Sequence, residues 1–231
     1  NHYVAMQAPN STDSLSNVVN CAPEDFKFTH LLLNHRVQWY MMYCLIMNKD
    51  NIEERWAMYR LLYGIHSSVE EKEILAALDV DAKQVVDKVN SDHEALETLL
   101  KDVEEARLTS AEEFAAKLLL FAAKYHQHTL MEEKNLLPLC QNLDVTNRDK
   151  MTRAIRDHFR AQNDSAWLIL SMRDVAIFSG DGDLWDQSMP WFFRNVVAVF
   201  LSTNATYVKY TELFPPESAD WLRQEAAPLG A

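Results

Sequence analysis

The chain has 231 residues, 48% of them apolar and 24% charged, which is ordinary globular composition and argues against disorder and against a coiled-coil rod. A net charge of −12 and a pI near 5.1 repel phosphate backbones, so nucleic acid is not an expected partner. Only 4 Gly occur, which favours helices over hairpin-rich sheets, and the three scattered Cys (Cys21, Cys44, Cys140) form no disulfide framework and point to a reducing, cytoplasmic setting.

Residues 1–22 are polar and read as an irregular lead-in. Pro23 opens a helix with Glu24 and Asp25 placed against its dipole, and Phe28, Leu31, Leu32, Trp39, Met42 and Ile46 recur at helical spacing until the polar break at 48–51. A second helix runs from about Ile52 to Leu78, and a third follows Asp81 as N-cap and carries Val85, Val89, Leu96 and Leu100. Thr109 and Ser110, each with a Glu three residues on, offer overlapping capping boxes for a fourth helix reaching about Cys140. Four such helices with short connections predict an all-α, up-down-up-down four-helix bundle over residues 23–143.

Residues 144–231 read as a helical C-terminal extension packed on the bundle. Shorter helices are expected at 151–161 and 165–178, a Gly-Asp loop at 179–183, an aromatic helix from Trp191 to Tyr210, and a tail helix at 218–226. The longest apolar run, Val196 to Leu201, is far below the ~18 residues of a membrane span, and no signal-peptide pattern opens the chain. Asp181, Asp183 and Asp186 lack the Gly and distal Glu of a calcium loop and read as turn residues.

Histidine placement carries the functional signal. His66 precedes Glu70, His93 precedes Glu97 and His128 precedes Glu132, all by four residues, where chance in this composition gives about one such pair. His35 lies about 15 residues before the first turn and His66 about 16 after it, while His66 and His93 stand about 14 and 13 residues from the second, so these three imidazoles share a layer. His128 lies about a helical turn further out, which a looser connection through Arg107 and Leu108 would absorb. All four sit on apolar stripes, where inward His and Glu are costly to bury without a metal to satisfy them. Imidazole with carboxylate and no thiolate favours iron, with manganese and zinc behind it. His30 and His126 compete with His35 and His128 on weaker grounds. Glu97 reads equally as a seventh ligand or a solvated charge, Glu71 and Glu133 as outer or surface groups, and His2 and His158 as unpartnered surface residues.

The order His, His-x-x-x-Glu, His, His-x-x-x-Glu on four consecutive helices, with Glu-Glu doublets and a closing Leu-Leu-Pro, resembles the hemerythrin-like (HHE) domain family over about residues 24–142. The resemblance implies two iron ions (Fe2+/Fe3+), a pair that can be oxo- or hydroxo-bridged, with His35, His66, His93 and His128 as terminal ligands and Glu70 and Glu132 as bridges. Trp39, Met42, Phe121 and Tyr125 would line the pocket. Glu97 occupies the position of a fifth His in oxygen carriers, which turns expectation from simple oxygen carriage toward sensing, peroxide handling or oxidation. The expected partner is dioxygen or peroxide, with a small organic substrate or a protein partner as further candidates. The other readings are an iron-responsive module without turnover and a metal-free helical interaction protein.

Overall fold

The computed structural model describes residues 26–47, 50–78, 82–161, 166–179, 182, 185 and 198–215, and every regular element among them is helical. The lead-in, the N-cap expected at Asp81, most of the 179–183 loop, the first half of the aromatic helix and the tail helix lie outside the described residues. The elements are α1 (Phe26–Met47), α2 (Ile52–Val69), α3 (Lys83–Arg107), α4 (Ala111–Met131), α5 (Leu137–Gln141), α6 (Val145–Ala161), α7 (Ala166–Ser179), α8 (Ala198–Leu201) and α9 (Ala205–Leu213). They fall into two compact units: residues up to Leu62 together with those from Arg160 onward, and Tyr63–Phe159.

In the first unit, α1 is buried on most sides, including its polar Asn34, His35, Arg36 and Gln38, as expected of a helix apolar nearly all round. It meets α7 where the Tyr40 and Phe178 rings lie 6.4 Å apart, and the Tyr40 hydroxyl donates to the Pro215 carbonyl. Trp167 of α7 packs on Tyr210 of α9 at 6.0 Å. Arg55 Nε donates over 2.7 Å to the Leu213 carbonyl, satisfying an acceptor that the end of α9 leaves open. Asn51 takes a left-handed φ of 54° just before α2, a conformation that Asn tolerates better than most residues.

The aromatic helix expected to reach Tyr210 unbroken is interrupted. It ends at Leu201, and Asn204 caps a new helix by accepting from the Tyr207 N–H at 3.0 Å. Asn favours such N-caps because its side chain competes with helical bonding.

In the second unit, α3 and α4 are antiparallel. Asp102 pairs with Lys117, whereas Asp92, ten residues earlier, pairs with Lys124, seven residues later. The link between them is short because Ser110 caps α4, its hydroxyl accepting from the Glu113 N–H at 3.0 Å. Thr109, rather than capping, donates to Glu113 Oε2 at 2.7 Å. Helix α6 begins six residues before the expected start, with Asp144 Oδ1 accepting from the Asn147 N–H at 3.0 Å.

Candidate metal centre

Two of the three His-x-x-x-Glu segments, those of His66–Glu70 and His128–Glu132, sit where helical hydrogen bonding changes register. After Val69 the Leu75 N–H bonds to the Glu70 carbonyl, and after Met131 the Leu137 N–H bonds to the Glu132 carbonyl. These are bonds across five residues rather than four, giving two π turns, Glu70–Ile74 and Glu132–Leu136. Such turns are rare and concentrate at functional sites. Each starts at the Glu of its pair and covers a Glu-Glu-Lys run.

The side chains then converge. His93 Nε2 and His128 Nε2 lie 3.1 Å apart. His93 Nε2 is 3.3 Å from Glu70 Oε2 and 3.9 Å from Glu132 Oε1, while His128 Nε2 is 3.1 Å from Glu132 Oε1. His66 Nε2 approaches Glu70 Oε1 at 3.2 Å. Glu70, His93, His128 and Glu132 are all buried and offer one ligand atom each within 4.8 Å of the others. Buried carboxylates demand a compensating positive charge, and two imidazoles with two carboxylates form a donor set that suits a divalent transition metal. The residues fit a metal.

The offset of His128 is closed by side-chain direction. Cα–Cβ bonds tilt toward a helix's own N-terminus, so in an antiparallel pair His128 leans back toward the α3–α4 turn and His93 leans away from it. The two tilts take up the turn of helix that counting residues leaves between them.

The electrostatics are those of a negative pocket. Burial works against a charged His93, but the hydrogen bond and charge of Glu70, the charge of Glu132 and the hydrogen bond to Glu71 overcome it and push its pKa up to about 9. Burial, reinforced by Glu70 and Glu132, pushes the Cys140 thiol up to about 12, so it stays protonated at neutral pH in the metal-free protein. Aromatic rings wall one side. Phe121 and Tyr125 stack at 6.1 Å, Tyr63 meets both at 5.7 and 6.1 Å, and the Tyr125 ring lies 6.4 Å from that of His128.

Among the expected site residues, His66, Glu70, His93, His128 and Glu132 therefore come together within the second unit. Glu97 is exposed on α3 and is not one of the four clustered donors. His35, Trp39 and Met42 are buried on α1 of the first unit. His158 is not an unpartnered surface residue: it is largely buried and its Nδ1 lies 3.1 Å from Glu73 Oε1 on the first π turn. Sequence spacing could not pair residues so far apart in the chain. Tyr63 and Asp92 were also missed, although Tyr63 lies three residues before His66 and Asp92 directly before His93.

Among the described residues, a helical scaffold brings together a buried His/carboxylate cluster that could hold a metal ion. Residues 40–140 match the family model of the Hemerythrin HHE cation binding domain. The match begins five residues after His35 and ends before α6. No curated protein and no solved structure matches the chain.

Proposed function

We propose that the protein is a non-haem di-iron protein of hemerythrin-like type that binds or reacts with dioxygen or peroxide. The observation that carries this reading is the convergence of His93 Nε2, His128 Nε2, Glu70 and Glu132 in a buried pocket. Glu70 and Glu132 would bridge two irons, His66, His93 and His128 would be terminal ligands, and His35 would complete the set, as the family resemblance implies. The proposal includes the up-down-up-down bundle over residues 23–143, the C-terminal helices of 144–231 packed on it, and a cytoplasmic setting. Among the described residues no helix is long and apolar enough to cross a membrane.

Two irons held by these residues would supply the electrons for reaction with dioxygen or peroxide. The chain's own contribution is to hold the donors in place and limit water. Glu70 and Glu132 each carry two oxygens and sit at the starts of π turns, a helical form that concentrates at functional sites. The rings of Tyr63, Phe121 and Tyr125 exclude solvent from one side, with Trp39 and Met42 proposed as further lining. The partner is dioxygen or peroxide, with a small organic substrate as a candidate for turnover.

The test is metal analysis and an aerobic near-ultraviolet spectrum after anaerobic reconstitution with ferrous iron. About two irons per chain and an absorption absent from the metal-free protein are expected. Less than a tenth of an equivalent would overturn the proposal and leave a metal-free interaction protein. A second reading, an iron-responsive module without turnover, draws on the His158–Glu73 contact, which ties α6 to the turn that starts at Glu70. Metal-dependent protease protection of α6, with no peroxide consumption beyond free iron, would favour it.

A further inference from the structure

Each imidazole of the central pair has its second nitrogen turned outward onto a carboxylate from the preceding helical segment. His93 on α3 presents Nδ1 to Glu71 Oε1 at 2.9 Å, and Glu71 directly follows the inward Glu70. His128 on α4 presents Nδ1 toward Asp92 Oδ2 at 3.9 Å, and Asp92 directly precedes the inward His93. Each segment thus supplies one donor to the pocket and, from the adjoining residue, one carboxylate to the back of the next imidazole.

Asp92 is built for this position. It is only 3% exposed, and its Oδ1 receives both Lys88 Nζ at 2.7 Å and Lys124 Nζ. Burial pushes its carboxyl up, yet hydrogen bonds and charge from the two lysines outweigh that and hold it below the usual carboxylate range. Oδ1 is therefore committed to the lysines, and Oδ2 is the oxygen that faces His128. His128 Nδ1 is buried and makes no hydrogen bond at this separation, which is about 1 Å too long for one.

We propose that Glu71 and Asp92 are positioning residues that fix the Nδ1–H tautomer of His93 and His128, so that both Nε2 lone pairs face the pocket and select a cation over a direct imidazole–imidazole contact. This inference rests on the metal-centre reading above. The physical reason is that an imidazole whose Nδ1–H is held by a carboxylate keeps that proton and yields Nε2 to an arriving cation, which at His93 displaces the Nε2 proton, and two Nε2 atoms 3.1 Å apart can then serve a cation between or beside them. Contraction of the Asp92–His128 gap into a hydrogen bond accompanies binding. Lys88 and Lys124 act through Asp92 by preventing it from turning to solvent.

The test uses the full chain, metal-free, titrated with Co2+ against a competing chelator, and proton NMR of the Co2+ form, in which exchangeable ring N–H protons of bound imidazoles are shifted clear of the envelope. Glu71→Gln and Asp92→Asn are each expected to weaken Co2+ binding by roughly 10–100-fold. Each is also expected to speed solvent exchange of one shifted N–H signal. Asp92→Glu, which keeps the charge, recovers most of the affinity, and Glu97→Gln, exposed on the same helix as Asp92, leaves binding unchanged. Glu71→Gln alters a half-exposed side chain and so keeps the test open if Asp92→Asn fails to fold. Wild-type binding with both variants within twofold of it, and unchanged N–H signals, overturns the positioning role alone. Wild-type protein that takes up no Co2+ overturns the metal-centre reading and this inference with it.

Discussion

Metal binding should be strongly coupled to pH through His93. In the metal-free protein its pKa stands at about 9 against an ordinary 6.5, because Glu70, Glu132 and Glu71 stabilise the imidazolium more than burial opposes it. At about pH 7 His93 therefore carries a proton on each nitrogen, and a cation arriving at Nε2 must displace one. A single such proton makes the apparent affinity rise about ninefold from pH 7 to 8 and about fiftyfold from pH 7 to 9, levelling above that. Calorimetric titration with Zn2+ in two buffers of different ionisation enthalpy counts the proton directly, and chelator competition gives the affinities. Stability supplies an independent check with a definite sign. A raised histidine pKa stabilises the metal-free fold fully below about 6.5, and this contribution is lost as pH rises through about 9. The metal-free protein should thus melt at lower temperature at pH 9 than at pH 7. Zn2+ binding with no proton release and a flat affinity over this range would refute the reasoning.

Three further outcomes follow from the packing. Lys124→Met leaves the buried Asp92 with Lys88 alone and should cost about 1–3 kcal/mol at neutral pH; because the Asp92 carboxyl is held low, its contribution is lost as pH falls, so acid unfolding of the variant should begin at higher pH, and an unshifted acid transition counts against the clamp. Leu96→Ala removes a fully buried side chain on α3 and should lower stability by roughly 2–5 kcal/mol in urea unfolding; a loss under about 1 kcal/mol would show the site is not close-packed. Ser110→Ala deletes the acceptor for the Glu113 N–H and should cost about 1 kcal/mol, read in the same assay, with no change there removing the cap from the account of α4.

The helices were legible because apolar periodicity, the Ser110 cap and the polar break before Ile52 are local signals. The central donors were legible because a spacing of four residues fixes a shared helix face whatever the surroundings, so His66 with Glu70 and His128 with Glu132 could be paired before any fold was known. The interruption at 202–204 was not, because apolar residues continue past it and only Asn204, a residue as common in loops, marks the new cap. The π turns gave no signal beyond the repeated Glu-Glu-Lys, since the roughly 100° shift of face that one extra residue causes falls within a single turn, too short a stretch for apolar periodicity to register.

What the chain determined by itself was the set of helices, their approximate ends and the donors each could turn inward, all properties of neighbours within a few residues. Tertiary structure alone decided that His93 and His128 meet at Nε2, that Glu71 and Asp92 stand behind them, and that His158 finds Glu73. Those contacts join residues 22 to 85 positions apart, and they depend on helix tilt, side-chain direction and the antiparallel approach of α3 and α4. Such quantities are set by packing between segments and are not encoded in any single stretch of residues.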